Sequence, residues 1–391
     1  MDHVDWSRYE KLSQLSRGVG PPQHKCENLD DNRDINFRSS WKEVNKFYQI
    51  VVDNKPRASV LLQVCGFGSV FEFKFKYADK ALTEVVCERW WKKTRTFHFR
   101  EFEIGLTPLD FFRLTGIPIG GGKPIPELPK ETMTPQELEA MDARYFCGVL
   151  DVMVQRKNQR LKTGDYDSKA STMRVSHLAN YIRSRENLDN TAIADELTRI
   201  FLLWCIGAFL FADCSLRVDK RWCVVLDNLD VVGSYDWGTL ALGVLYKHLD
   251  DWSSCKQKDL GGMSMILEFW YYFYFRNYQP VLKKSLKDDE LDPHPAILLF
   301  SGTNLKNRGQ VDLHKHSVSD ARAQIAMTMG DAVIWDPWFR DSAQQHTDAF
   351  QAALEMSSRI FVFKCVKEGT RASTYLAERC MRQVLGVVVI P

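Results

Sequence analysis

The fold is decided by one stretch, which has the sequence ERWWKKTRTFHFR from Glu88 to Arg100 and continues EFEIGLTPLDFFRLTGIP to Pro118. Thr94–Phe99 alternates between polar and aromatic residues, and Glu101–Leu106 alternates again. Alternation with a period of two is typical of strands, so these segments predict a short hairpin. We expect the aromatic side chains of this stretch in the core and its cations in water.

Helices are predicted on both sides of the hairpin. Ala81–Trp91 carries apolar residues at helical spacing. After the hairpin, Thr107 is a good N-cap and Pro108 suits the first position of a helix. Gly116 is expected as the left-handed residue that ends this second helix, and Pro118 prevents its continuation. The order helix, hairpin, capped helix, turn follows.

The composition bounds the class of protein. The chain has 391 residues, of which 45% are hydrophobic, and this is enough for a large core. Its 52 Lys and Arg against 50 Asp and Glu give a net charge of +2, whereas dedicated nucleic-acid binders usually have a larger basic excess. The ten cysteines form no CxxC pair and mostly lie in apolar runs. We expect reduced core thiols in an intracellular protein.

The chain is predicted to be mainly α with short β-hairpins and strands (α+β). Residues 1–45 are polar and are expected to form a loosely ordered arm, followed by one compact helical domain over 46–391. A joint between two lobes could lie near 120–171, where Gly, Pro and charged residues are frequent. Further helices are predicted at Thr191–Phe211, Ser234–Asp251, Leu260–Arg276, Ser319–Met329, His346–Met356 and Thr374–Leu385, and strands at Ala332–Trp335 and Arg359–Val366.

No catalytic motif is recognisable. Gly120-Gly121-Gly122-Lys123 lacks the first glycine of a phosphate-binding loop, and a proline follows the lysine where that loop needs Ser or Thr. His314 and His316 alternate and, together with Asp336, could belong to a cryptic metal-dependent hydrolase. Loop positions with no ligand role are the favoured interpretation of these three residues.

The aromatic and basic stretch also suggests nucleic-acid binding. Aromatic rings stack on bases and cations neutralise phosphates, so Lys92, Lys93, Arg95 and Arg100 are candidate contacts. The helical and strand periodicity favours burial of the aromatic residues, which leaves only the cations for such a role.

The same residues resemble the signature of the plant mobile domain family. The resemblance runs in order over residues 58–391, although Arg95 stands where the family usually has His and Phe99-Arg100 replaces the common Leu-Pro. The matching positions include Glu88, Arg89, Trp90, Thr96, Phe97, His98, Thr107, Asp110, Gly116, Pro118, Trp204, Gly233, Ser234, Trp237, Trp270, Asp336, Pro337 and Arg379.

The resemblance carries implications about function. It implies a nuclear, non-enzymatic interaction protein linked to transposon silencing, genome stability and meristem maintenance, with a type-7-phosphatase-like protein as partner. A host gene of the MAINTENANCE OF MERISTEMS type and a transposon-borne copy are both compatible with it. The family's older label, "aminotransferase-like", suggests pyridoxal phosphate, but no lysine with the supporting residues can be identified, so no cofactor is expected. The signature positions are expected to serve the fold.

Overall fold

The computed structural model describes residues 36–38, 40–53, 56–75, 79–100, 102–129, 133–159, 170–186, 193–254, 256–275, 279–283, 293–305, 317–338, 347–363 and 373–385. Helices dominate this part of the chain and the strands are short, which confirms the predicted fold class.

The helices vary from one turn to nearly five. They are α1 (Trp41–Val52), α2 (Pro56–Val64), α3 (Gly68–Phe71), α4 (Lys80–Cys87), α5 (Pro108–Thr115), α6 (Pro135–Tyr145), α7 (Cys147–Asn158), α8 (Val175–Ser184), α9 (Ala194–Cys205), α10 (Trp222–Val225), α11 (Leu229–Val232), α12 (Trp237–Ser253), α13 (Ile266–Tyr274), α14 (Val318–Met327), α15 (Asp348–Ser357) and α16 (Met381–Leu385). A π-helical segment, Ile206–Leu210, extends α9, and 3₁₀ turns occur at Ala296–Phe300, Gly330–Ala332 and Ala377–Arg379.

The strands form four small sheets. They are β1 (Asn36–Phe37), β2 (Trp90–Trp91), β3 (Thr96–His98), β4 (Glu103–Ile104), β5 (Thr172–Arg174), β6 (Arg217–Asp219), β7 (Asp259–Leu260), β8 (Phe361–Phe363) and β9 (Ser373–Tyr375). The order β2-β3-β4 is antiparallel, β1 pairs with β7 in parallel, and β5 pairs with β6 and β8 with β9 in antiparallel. The predicted hairpin is therefore the second half of a three-stranded sheet.

The buried apolar side chains form one continuous core. Helix α9 packs against α1, α2 and α8, and α5 packs against α12, α13 and α15. Aromatic contacts connect the two groups, because Trp41 of α1 lies 6.5 Å from Phe269 of α13, and Phe73 lies 5.7 Å from Trp41 and 5.3 Å from Phe269, between ring centroids. The two apolar runs that the sequence assigned to the core, Ile200–Ala212 and Met263–Phe275, are buried almost throughout.

The packed fold begins earlier than the predicted boundary of the arm. Asn36–Phe37 pairs with Asp259–Leu260, and α1 starts at Trp41, which is only 2% exposed. The last ten residues of the segment 1–45 thus include core positions, because a tryptophan at the start of an amphipathic helix buries a large apolar area. The described helices do not include one that is long and apolar enough to cross a membrane.

Four local predictions were wrong in detail. The helix predicted over Ala81–Trp91 ends at Cys87, because Trp90–Trp91 pairs with Thr96–Phe97 as strand β2. Asp236, not Ser234, is the N-cap of α12, and its carboxylate accepts a hydrogen bond from the Thr239 N–H at 3.0 Å. Ala332–Trp335 is not a strand, because the Ile334 N–H donates to the carbonyl of Tyr274 at the end of α13 instead of to another strand. The predicted last helix begins only at Met381, since residues 373–375 pair with β8.

Gly116 and Gly233 have different physical roles, although both were expected to serve turns. Gly116 ends α5 with a φ of 71°, which is the left-handed conformation that favours glycine. Gly233 has an ordinary φ of −68°, but a Cβ added there would lie 2.0 Å from the carbonyl oxygen of Val64. Its lack of a side chain therefore allows the end of α11 to touch the backbone at the end of α2.

We expect Gly233→Ala to lower the free energy of unfolding by roughly 2–3 kcal/mol, because a backbone carbonyl cannot move aside as a flexible side chain can. Chemical denaturation measures the change. Gly121→Ala is the matched control, since its added Cβ would meet only Ala352 at an ordinary 3.4 Å. Equal stability of the two variants would contradict the close contact between α2 and α11.

A second prediction concerns Glu268 on α13, which is 2% exposed and accepts a hydrogen bond from the Tyr272 hydroxyl at 2.8 Å. Burial raises the pKa of this carboxyl from 4.5 to about 8. Because the folded state then holds a proton that the unfolded chain releases, this group's contribution to stability is full below the unfolded pKa and is lost as the pH rises towards 8.

Glu268→Gln imitates the protonated acid and should remove this dependence. We expect the variant to match the parent near pH 5 and to exceed it by roughly 3 kcal/mol near pH 8 in urea unfolding. Glu139→Gln, at an exposed position of α6, should show no such divergence. Parallel pH profiles for parent and Glu268→Gln would show that the carboxyl is ionised in the fold.

Candidate functional site

The signature stretch builds the sheet β2-β3-β4 and helix α5 as one module. Trp90 and Phe97 are paired across β2 and β3, and their rings lie 5.0 Å apart between centroids. Trp90 also contacts Tyr246 of α12 at 5.0 Å, and Phe97 contacts Trp270 of α13 at 4.9 Å. The prediction that these aromatic residues belong to the core is confirmed, because Trp90 and Phe97 are both at most 1% exposed.

Asp250 of α12 anchors the turn between β2 and β3. Its carboxylate accepts hydrogen bonds from the Trp90 indole N–H at 2.9 Å and from Arg95 Nε at 3.2 Å. Arg95 also donates to the carbonyl of Thr374 at 3.0 Å and has a φ of 54° in this turn. Burial raises the pKa of Asp250, whereas the bond from Trp90 and the charge of Arg95 lower it. Arg95 is thus held by the fold, unlike the other cations of the stretch.

Asp110 is a buried hub at the start of α5. Asp110 and Thr107 form a reciprocal capping box, in which each side chain accepts from the other's backbone N–H, at 2.6 and 3.0 Å. The same oxygen, Oδ2, accepts from the Thr107 hydroxyl at 2.8 Å. Oδ1 accepts from the Tyr274 hydroxyl at 2.7 Å and from the Trp338 indole N–H at 2.6 Å. One carboxylate therefore joins three separate segments of the chain.

The ionisation of Asp110 is set by two opposing effects. Burial raises the pKa of the carboxyl above its usual value, and the hydrogen bonds from Trp338, Thr107 and Tyr274 reduce this rise without cancelling it. One backbone N–H, one indole N–H and two hydroxyls point at its two oxygens. An ionised carboxylate accepts from all four without carrying a proton of its own. The geometry thus favours the charged form.

Gln383 extends this network to the C-terminal part of the chain. Its amide oxygen accepts from the Gly105 N–H and its amide nitrogen donates to the Gly105 carbonyl, both at 2.8 Å. The nitrogen also lies 3.1 Å from the Tyr274 hydroxyl. The amide satisfies the backbone just after β4 in the way a further strand would.

A second polar cluster lies on the opposite face of the sheet, at its solvent edge. The Thr96 hydroxyl donates to Glu103 Oε1 at 2.5 Å and lies 2.8 Å from the Thr94 hydroxyl, which is 2.9 Å from His98 Nε2. Arg379 donates to Glu103 Oε2 at 3.3 Å. Since Thr96 donates to the carboxylate, Thr94 must donate to Thr96, and Nε2 of His98 is then the donor to Thr94.

This second cluster is a hydrogen-bond relay that does not match a nucleophilic triad. A triad needs the hydroxyl and the carboxylate on opposite nitrogens of the imidazole, whereas Glu103 Oε1 approaches the same Nε2 at 3.7 Å. Burial raises the pKa of Glu103, and the charge of Arg379 lowers it. Trp91 lies against one face of the His98 ring with centroids 4.5 Å apart.

The candidate contact residues separate into two kinds. Lys92, Lys93 and Arg100 are exposed, and Lys92 Nζ lies 3.4 Å from the Ser254 hydroxyl. Arg95 has a side chain that is only 17% exposed because of its ion pair with Asp250. The exposed cations therefore remain candidates for contact with a partner, and Arg95 does not present its charge to solvent.

The remaining signature positions make contacts within the fold. Glu88 forms a forked ion pair with Arg322 of α14, and the carbonyl of Arg89 accepts from the His98 N–H. The Trp237 indole donates to the Val232 carbonyl at 2.8 Å, and the Ser234 hydroxyl donates to Val231. Trp204, Trp270 and Pro337 are buried, Pro118 lies against Gly66 and Gly238, and Asp336 is exposed in a loop.

Of the three candidate metal ligands, only Asp336 lies among the described residues. His314 and His316 lie outside them. Within the ranges that the structure describes, no group of three or more His, Cys, Asp or Glu side chains is arranged to hold a metal ion.

Sequence reasoning missed Asp250 and Tyr274, which hold Trp90 and Asp110. The sequence contains a weak indication of a bonded role for each of these two residues. Tyr274 places a hydroxyl in an almost entirely apolar helix, and such a group needs a partner when buried. Asp250 follows Leu249 on a helix face that is otherwise in the core, where a carboxylate is rare unless it is bonded.

We expect Asp110→Asn to destabilise the protein by roughly 3 kcal/mol, because the amide nitrogen would face N–H and O–H donors. Tyr274→Phe, which removes one donor and leaves the carboxylate, should cost about 1 kcal/mol. Urea unfolding measures both losses of stability, with Asp151→Asn on the exposed face of α7 as the control. A loss of stability for Asp110→Asn no larger than that of the control would mean that Asp110 is protonated.

The module lies within the part of the chain that is similar to known proteins. A family model described as plant mobile domain matches residues 66–386. Among Arabidopsis thaliana proteins, the chain is 24% identical to Protein MAIN-LIKE 2 over 331 residues, which cover 84% of this chain and 45% of the relative. It is 23% identical to Protein MAINTENANCE OF MERISTEMS over 261 residues, covering 66% of this chain and 48% of that one.

Protein MAIN-LIKE 1, from the same plant, is 22% identical over 327 residues, with 83% of this chain and 57% of the relative covered. The chain thus spans about half the length of the curated relatives that it matches. No solved structure matches it. Since the family model covers most of the chain, including the sheet, α5 and Gln383, the protein belongs to the plant mobile domain family.

Proposed function

We propose that this protein is a non-enzymatic interaction scaffold of the nucleus. Its role would lie in transposon silencing, genome stability and meristem maintenance, with a type-7-phosphatase-like protein as a partner. The name of one relative, MAINTENANCE OF MERISTEMS, supports the meristem role, and the resemblance of the signature supports the remainder.

One observation supports the proposal that the protein is not an enzyme. Signature residues with ionisable side chains bond to other residues of the chain. Asp110 bonds to Tyr274 and Trp338, and Glu88 bonds to Arg322. A catalytic acid or base has to reach a substrate, and a carboxylate that is 0% exposed and accepts four hydrogen bonds does not. The signature is therefore better explained as the set of contacts that hold the module together.

The exposed surface of the module is where a partner would bind. Lys92 and Lys93 lie at the tip of the turn that Asp250 anchors, and Arg100 lies in the next turn. An anchored turn with two exposed cations, and a third cation in the next turn, suits an acidic protein surface, because little backbone freedom is lost in the anchored turn on binding.

Affinity purification of the tagged full chain from plant nuclei tests the proposal. We expect recovery of a type-7-phosphatase-like protein and of chromatin-linked proteins. Lys92→Glu with Lys93→Glu should reduce the recovery several-fold, whereas Lys42→Glu with Lys157→Glu, the same change on α1 and α7, should not. Exclusion from the nucleus, or a monomer that retains no protein, would contradict the proposal.

Nucleic-acid binding through the same cations is the second candidate, favoured by the exposure of Lys92, Lys93 and Arg100. For this candidate, replacing the three with Gln should lower the affinity for duplex DNA. The slope of log affinity against log salt should fall by about 0.9 for every phosphate that the variant no longer neutralises. Fluorescence anisotropy across a salt series measures both quantities. Lys42, Lys123 and Lys157 replaced with Gln serve as the control, and an absence of binding by the parent at low salt would reject this candidate.

A further inference from the structure

A surface groove of about 420 Å³ lies between helix α2 and the short helix α11. The residues that line it are Pro56, Arg57, Val60, Leu61, Val64 and Asp230. A cavity of about 150 Å³ is enough to hold a benzene ring. The groove therefore has room for two or more apolar side chains of a partner.

The apolar side of the groove is an exposed stripe along α2. Val60 is 58% exposed and Val64 is 56% exposed, and Pro56, which is also exposed, precedes them at the same spacing of four residues. Residues four apart lie on one face of a helix, so these three residues form a continuous stripe about 12 Å long. We call it the α2 stripe. Exposed apolar residues that adjoin one another are typical of interaction sites.

Close packing fixes the two walls of the groove relative to each other. A Cβ on Gly233, at the end of α11, would lie 2.0 Å from the carbonyl oxygen of Val64, so the two helix ends touch through their backbones. At the start of α2, Arg57 forms a fork with Asp195 of α9, with Nε to Oδ1 at 2.5 Å and Nη2 to Oδ2 at 3.1 Å. The groove is thus formed before a partner binds, which reduces the entropy that binding costs.

The charges at the groove leave one carboxylate in excess. Arg57 and Asp195 neutralise each other through their fork. Asp230 is exposed, and its Oδ1 lies 3.9 Å from Arg57 Nη2, which is too far for a hydrogen bond. Among the described residues, none donates a hydrogen bond to this carboxylate. The groove therefore suits a partner that carries a Lys or Arg beside its apolar residues.

The walls of the groove favour a helical partner over an extended one. The residues that line it belong to α2 and α11, and helix backbones are hydrogen-bonded within themselves. An extended segment would find no strand edge there with which to pair. A helix brings its own backbone hydrogen bonds and can lay an apolar stripe of its own against the α2 stripe.

We propose that this groove binds an amphipathic helix of a partner protein. The apolar face of that helix packs on the α2 stripe, and a Lys or Arg beside this face pairs with Asp230. The groove shares no residue with the cationic turn at Lys92 and Lys93. It is a second interaction surface, and its test is separate from that of the proposed function.

Three alanine-rich peptides of about 16 residues, long enough to form helices, test this proposal on the full chain. The first has leucines spaced four residues apart with lysines beside them. The second has glutamates in place of the lysines, and the third has alanines in place of the leucines. Methyl NMR spectra report binding through Val60, Leu61 and Val64. We expect the lysine peptide to bind about five-fold more tightly than the glutamate peptide, because an attractive exposed ion pair replaces a repulsive one, and the third peptide not to bind.

Variants separate the α2 stripe from the carboxylate. Val60→Gln with Val64→Gln should weaken binding of the lysine peptide by about ten-fold or more, because the apolar contact is lost. Val154→Gln is the matched control, since this valine of α7 is 59% exposed and lies outside the groove. Asp230→Lys should reverse the preference, so that the glutamate peptide binds more tightly. Asp230→Asn, which should make the two affinities equal, replaces it if the lysine distorts α11.

Unchanged methyl spectra of core residues show that each variant is folded. Equal affinity for peptides with and without leucine, a preference that Asp230→Lys does not alter, or no methyl shifts at millimolar peptide would each overturn the proposal. Analytical ultracentrifugation of the chain alone tests a second copy as the occupant. A dimer that Val60→Gln with Val64→Gln dissociates would show that a second copy fills the groove, and this result too would overturn the proposal.

Discussion

The structure depends on one buried carboxylate. Asp110 is 0% exposed, and leaving its charge without partners there would be costly, so donors have to converge on it. They come from the turn before α5, from the end of α13 and from Trp338, which lies 228 residues later in the chain. The apolar core is non-directional, whereas these bonds have defined lengths and directions. They therefore select one arrangement of α5, α13 and the C-terminal part.

The remainder of the module follows from that arrangement. Tyr274 contacts both Asp110 and Gln383, and Gln383 pairs with the backbone of Gly105 after β4. The sheet is thereby held at one end, and Asp250 holds its other end through Trp90 and Arg95. With both ends held, the turn at 92–95 is a firm support for exposed cations, and this is the property on which the scaffold proposal relies.

Packing distance matters as much as polar contacts elsewhere in the fold. Glycines at positions 207, 233 and 238 let neighbouring segments approach closer than any side chain would permit. At Gly233 and Gly238 the neighbour is a backbone carbonyl, and at Gly207 it is Val218. A cavity remains beside the π-helical segment, although Gly207 of that segment packs closely against Val218.

The sequence by itself determined the local features. The N-cap Thr107, the left-handed Gly116 and the alternation of Thr96–His98 all depend on residues within a few positions of each other, and each was predicted correctly. The burial of Phe97 followed from the same alternation, whereas the burial of Trp90 was predicted from a helical pattern and is realised in strand β2. The family resemblance came from the order of these local patterns.

Only the tertiary structure decided what those residues contact. Asp250, Tyr274 and Trp338 lie more than a hundred positions from the groups that they bind, and no local spacing indicates such a pairing. Thr374 and Tyr375 were predicted as helix, but they form part of strand β9 because β8 offers partners that a local pattern does not reveal. Arg95 is basic in the sequence, yet it is held by an ion pair in the fold. Whether a charge is exposed or bonded depends on distant segments, and that is a property of packing alone.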